Sequence, residues 1–159
     1  MTTSTRQTQI DVDPDVPLVR ITREFDAPPE KVFRAHTDPE LVAQWQGPRG
    51  METRVEHYDC RTGGSYRYVH SQGGEEYAFH GSFHDVRPSE VIVQTFTYDG
   101  MPDDVALERL VLEDLGGGRT RLVVTSLVDS FEGRDAFVAS GMEVGVREGY
   151  ERLDELLAR

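Results

Sequence analysis

Tyr66-Arg67-Tyr68-Val69-His70-Ser71-Gln72-Gly73-Gly74-Glu75-Glu76-Tyr77-Ala78-Phe79-His80-Gly81 decides the fold. Two runs rich in aromatic and β-branched residues flank a Gly-Gly pair, which is the signature of a β-hairpin. If Gly73-Gly74 form a two-residue turn, Tyr68 faces Phe79, His70 faces Tyr77 and Tyr66 faces Gly81. One face then carries Tyr66, Tyr68, His70, Tyr77, Phe79 and Phe83. The other carries Arg67, Val69, Ser71, Glu76, Ala78, His80 and His84. A three-residue loop, Gln72-Gly73-Gly74, would shift the register and mix rings with charges. Burial of one face is what fixes register, so the two-residue turn is expected. Tyr66 over Gly81 also fits the way aromatic rings cover strand glycines.

The same pattern extends over about 75 residues. Strands are expected at 51–59, 64–71, 75–86, 90–98, 105–114 and 119–128, separated by short glycine- or proline-bearing turns. Upstream, Val19, Ile21 and Phe25 alternate with Arg20, Thr22 and Glu24, giving another half-buried strand. Asp26, read as an N-cap, and Pro28-Pro29 start a short helix to about Thr37. Asp38-Pro39-Glu40 starts a second helix ending at Trp45, before Gly47-Pro48. From about Arg134 to the end, apolar residues three and four apart predict one long helix. Residues 1–16 read as a frayed tail and 17–159 as one domain. The fold class is α+β: a curved antiparallel sheet of about seven strands wrapped around a long C-terminal helix.

The chain has 159 residues and a net charge of −12. Its length suits one domain. An acidic surface argues against nucleic acid and anionic membranes as partners. No apolar run reaches the ~20 residues of a membrane span. The start, MTTSTRQTQI, lacks the apolar core of a secretory signal, and one cysteine, Cys60, allows no internal disulfide. A cytoplasmic setting is the expectation.

Motifs for chemistry are sparse. His80 and His84 could point the same way, but about 13 Å apart, too far for one metal. No cofactor or metal is expected. Cys60 reads as an inert thiol and the glycine pairs as turns. Gly141, Gly145 and Gly149 lie on one side of the expected last helix. Each costs about 1 kcal/mol against alanine, so either tight packing or room for a ligand should offset them. The ring-lined sheet face has two readings, an ordinary core or a pocket with polar tips.

Val19-Arg20-Ile21-Thr22-Arg23-Glu24-Phe25-Asp26-Ala27-Pro28, Val32-Phe33, Thr37-Asp38-Pro39-Glu40-Leu41 and Trp45 with Gly47-Pro48 together resemble the family similar to the activator of heat-shock-protein ATPase. Gly63-Gly64, Tyr77-Ala78-Phe79, Thr95-Phe96, Gly117-Gly118-Arg119-Thr120 and Gly141-Met142-Glu143 continue the match over about residues 18–158. That family lies in the START-like (SRPBCC, helix-grip) superfamily. The resemblance implies a cavity between sheet and last helix, and relatives that bind lipids, sterols, polyketides or hormones. Here Gln46 follows Trp45 where the family commonly has a second tryptophan, and Gly149 replaces a larger residue.

The expected function is binding of a small, mostly apolar ligand. Tyr66, Tyr68, Tyr77, Phe79 and Phe96 would be walls, Trp45 would guard the mouth, and Met142 and Gly145 would line the helix side. His70 would orient polar groups. Two other readings stand: a protein that contacts a heat-shock chaperone, and a cyclase-like or hydrolytic enzyme using His70 or Glu143 as base. A homodimer is also expected.

Overall fold

The computed structural model describes residues 7–159. Eight strands form one antiparallel sheet: β1 (Gln9–Val12), β2 (Leu18–Phe25), β3 (Glu52–Tyr58), β4 (Ser65–Gln72), β5 (Glu75–Arg87), β6 (Val91–Tyr98), β7 (Ala106–Gly116) and β8 (Arg119–Leu127). Their spatial order is β1-β2-β8-β7-β6-β5-β4-β3. The helices are α1 (Pro29–Thr37), α2 (Pro39–Trp45), α3 (Phe131–Ala139) and α4 (Met142–Leu157). Among the described residues no helix is long and apolar enough to cross a membrane.

The β4–β5 register is the one that burial demands. Tyr68 pairs with Phe79, His70 with Tyr77 and Tyr66 with Gly81. Tyr66 and Phe83 are buried on the inner face, while Arg67 and Glu76 on the other face form exposed ion pairs with Glu56 and Arg54. Tyr66 leans across Gly81, where an added Cβ would lie 2.7 Å from the ring, and donates its hydroxyl to the Thr95 carbonyl at 2.6 Å. The glycine is therefore what lets a tyrosine reach the next strand but one.

Three expectations need correction. Residues 9–12 belong to the sheet instead of a frayed tail, with Ile10 against Ile21 and Val12 against Val19. The strand adds only the half-buried Ile10 to the core, so its alternation is too short to read. The rest of that expected tail, residues 1–6, lies outside the described residues. The first helix is capped at Pro28, with no side-chain bond, and not at Asp26. Asp38 does cap α2, accepting from Glu40 N at 3.0 Å.

The expected single C-terminal helix is two. Ser140 ends α3, and Gly141, with φ of 87°, starts α4. A left-handed residue cannot continue a right-handed helix, and glycine enters that region at no steric cost. The three-and-four spacing runs across the break because both helices turn apolar residues, Val138, Met142 and Val146, to the same interior. Gly145 and Gly149 then pack on the loop after α2. Their added Cβ atoms would sit 3.7 Å from Pro48 Cδ and 3.4 Å from the Trp45 carbonyl oxygen. The glycines thus face that loop and not the sheet, Gly149 the more closely of the two.

Helix α4 is held against the sheet by Tyr150, Leu153 and Leu157, all buried in the main core. Tyr150 meets Phe25 edge-on at 5.6 Å and stacks on Trp45 at 6.0 Å. Arg23, inward on β2, binds Asp154 of α4 at 2.5 Å. Lys31 on α1 donates to the carbonyl of Leu157 at 2.7 Å, at the end of α4.

Candidate functional site

The inner face of the sheet changes character along its length. Near β2 and the end of α4 it is dry, with Phe25, Leu122 and Leu153 almost wholly buried. Toward β4–β6 and the start of α4 the inner residues become half-buried: Phe79, Gln94, Phe96, Glu108, Met142 and Val146. The rings form a continuous wall. Tyr66 stacks on Tyr68 at 5.9 Å, Tyr68 meets Phe79 at 5.5 Å, and Phe79 stacks on Phe96 at 5.3 Å.

A polar row crosses this wall. Gln94, Glu108 and Ser126 are direct cross-strand partners on β6, β7 and β8. Gln94 Nε2 donates to Glu108 Oε1 at 3.0 Å. Ser126 Oγ is buried and has no hydrogen-bond partner among the described residues; it bears on the Glu108 carboxyl from outside hydrogen-bonding geometry. Burial raises the Glu108 pKa, offset in part by the Gln94 bond. Burial, then the Glu108 charge, pushes Tyr68 and Tyr150 up as well. Glu108 is thus deep in the protein, among two tyrosines, yet part of its surface remains accessible.

Of the residues singled out in the sequence, Tyr66, Tyr68, Phe79, Phe96 and Met142 come together in one cluster on the inner face. Tyr77 sits at its rim, its hydroxyl given to Glu75 at 2.7 Å. Gly145 faces Pro48 instead. Trp45 is no mouth guard: it is 4% exposed, packs on His36 at 4.9 Å and donates Nε1 to the Ala35 carbonyl at 2.8 Å.

His70 lies on the inner face as expected, its ring 5.1 Å from Tyr68 and 5.3 Å from Phe79. Thr53 Oγ1 donates its single proton to the Gln46 carbonyl, so His70 Nδ1, 2.9 Å from that oxygen, must be the donor between them. The ring lies under Gly47 and holds the loop after α2. Burial, then the nearby Arg152 charge, depresses its pKa to about 4. Glu143 is exposed and paired with Arg147 at 2.9 Å. Glu143 does not face the interior; His70 does, but its Nδ1 is committed to Thr53. Cys60 is the inert thiol expected, pushed up to about 12 by burial and then by Asp59.

Glu108, Gln94, Ser126 and Tyr150 were missed by the reading of the sequence. The signal was there: Ala106, Glu108, Leu110 and Leu112 alternate, so a lone carboxyl stands on an otherwise apolar face. A depression of about 320 Å³ opens on the outside, between α1, α2 and the end of α4, lined among others by Lys31, Arg34, Leu41 and Leu156.

A family model for "Activator of Hsp90 ATPase homolog 1-like protein" matches residues 26–158. The chain belongs to this family. Solved structures agree. A protein from Rhodobacter sphaeroides is 30% identical with a TM-score of 0.84, over 94% of this chain and 97% of that one. Protein Ms6760 from Mycobacterium smegmatis shares the fold at 23% identity and a TM-score of 0.86, over 95% of this chain and 96% of that one. DynU16, a protein of the dynemicin biosynthetic locus, is 25% identical with a TM-score of 0.68; the match covers 91% of this chain and 48% of that one. No curated protein matches the chain. The helix-grip fold is thereby shown for this family member.

Proposed function

We propose that this family member binds a small, mostly apolar, ring-containing molecule between the inner face of β4–β8 and the first turns of α4. The observation that carries the reading is the half-buried pair Phe79 and Phe96, which continue the buried rings Tyr66 and Tyr68, beside a partly accessible Glu108. A dry core would close over those rings, and a sealed carboxyl would keep no accessible surface. Tyr66 and Met142 complete the wall. The likeness to a protein of a biosynthetic locus supports a small molecule as occupant.

The test is an amide chemical-shift titration with fatty acids, flavonoids, sterols and small aromatic polyketides. Saturable shifts should centre on Tyr68, Phe79, Phe96 and Met142. For a ligand so found, Phe79→Ala should weaken binding about tenfold or more, the value of one buried aromatic side chain. An unchanged affinity would remove Phe79 from the wall.

The partner reading, contact with a heat-shock chaperone, has one observation in its favour. Leu107 and Leu127, cross-strand neighbours on β7 and β8, are exposed on the outer face of the sheet. Adding a chaperone to the same sample should then shift the amides of β7 and β8 and leave the inner wall unmoved.

A further inference from the structure

We propose that Glu108, flanked by Gln94 and Ser126, is the polar end of this cavity, and that it receives a ligand group that donates hydrogen bonds, a hydroxyl or a protonated amine, while turning away a carboxylate. The inference rests on the cavity reading above and adds the chemistry of the ligand's head.

The argument is a donor and acceptor count. Among the described residues Gln94 is the one side chain that donates to Glu108 in hydrogen-bonding geometry. Arg23, the inward cation of β2, is already engaged, by Asp154 at 2.5 Å and the Glu24 carbonyl at 2.6 Å. Among the described residues no ion pair joins Glu108 to a cation. Ser126 Oγ, 4% exposed, stands beside it without a partner. Tyr68 and Tyr150 are both subject to the Glu108 charge. Buried polar groups are as a rule paired, so this cluster is short of partners, and its carboxyl is short of donors. A donor head group supplies what is missing. A ligand carboxylate would bring like charge into a site with no free cation. The apolar rings of Phe79 and Phe96 adjoin the row through Phe96, two residues from Gln94 on the same strand, and take the rest of the molecule.

Three probes with one apolar body decide it: naphthylmethanol, naphthylmethylamine and naphthoate, titrated into the full chain at neutral pH and followed by amide shifts. The alcohol, the amine or both should bind at least about tenfold tighter than naphthoate, and Glu108→Gln should bring the three within about threefold of one another. An amine preference lost in Glu108→Gln assigns the head group as a cation; an alcohol preference assigns a neutral donor. Naphthoate binding as tightly as the other two, unchanged in Glu108→Gln, overturns this proposal and leaves the cavity reading standing. Inner-face amides that respond to none of the probes overturn both. If Glu108→Gln does not fold, Ser126→Ala serves: it should weaken the favoured probe about threefold or more, and an unchanged affinity removes the polar row.

Discussion

Gly47 and Gly145 should answer alanine in opposite ways. Gly145 is helical, and its new Cβ would make ordinary contact with Pro48 at 3.7 Å. Gly145→Ala should raise stability by about 0.5–1 kcal/mol in a urea titration. Gly47 has φ of +90°, and its Cβ would lie 2.7 Å from His70 Cε1. Gly47→Ala should cost about 1–3 kcal/mol and free the ring that anchors the loop. The imidazoles set the pH response. Burial lowers the pKa of both His36 and His70, the latter to about 4. The folded state then holds fewer protons than the unfolded chain, whose histidines titrate near 6.5. Stability is full above about pH 6.5 and falls as pH drops toward 4. His70→Gln should flatten that slope, as read from urea midpoints across the range. Glu108 has the reverse sign. Its raised pKa means stability is lost as pH rises through the folded value, so Glu108→Gln should raise the neutral-pH midpoint and lose the advantage in acid.

At the level of elements, the tie between β2 and α4 is the most exposed to test. Arg23 is 3% exposed, and its partner Asp154 is one-third exposed. Asp154→Ala would strand a buried guanidinium and should cost on the order of 2–3 kcal/mol, less than for a fully buried pair. Replacing Arg23 by methionine in the same chain should recover most of that loss. The elements were readable where one face had to be buried. Tyr68 could pair with Phe79 in only one register without mixing rings and charges, and so the hairpin followed. The boundary between α3 and α4 was not readable, since the apolar spacing of Val138, Met142 and Val146 survives the turn at Gly141. That the rings proposed as walls share one face was legible for the same reason as the hairpin. Its polar row was not, because Gln94, Glu108 and Ser126 lie on three strands and acquire meaning only when pairing sets them side by side.

For the molecule as a whole, occupancy of the proposed cavity should register as stability. A ligand at a hundred times its dissociation constant adds about 2.7 kcal/mol, which in a chain of this size raises the melting temperature by about 5–10 °C. A melting scan against the probes is thus a rapid check, and Glu108→Gln should keep its fold while losing the head-group preference in that shift. The two borders of the sheet carry a different consequence. β1 is four residues long, and β3 is bent by a bulge between Val55 and His57 and studded with Glu52, Arg54 and Glu56. Neither offers a long, straight, uncharged row of free amides and carbonyls onto which another chain could zip. Concentrated solutions should therefore resist fibril growth, and any pairing of two copies would have to be made broadside, through the leucines on the outer face, with no shared ladder of backbone bonds.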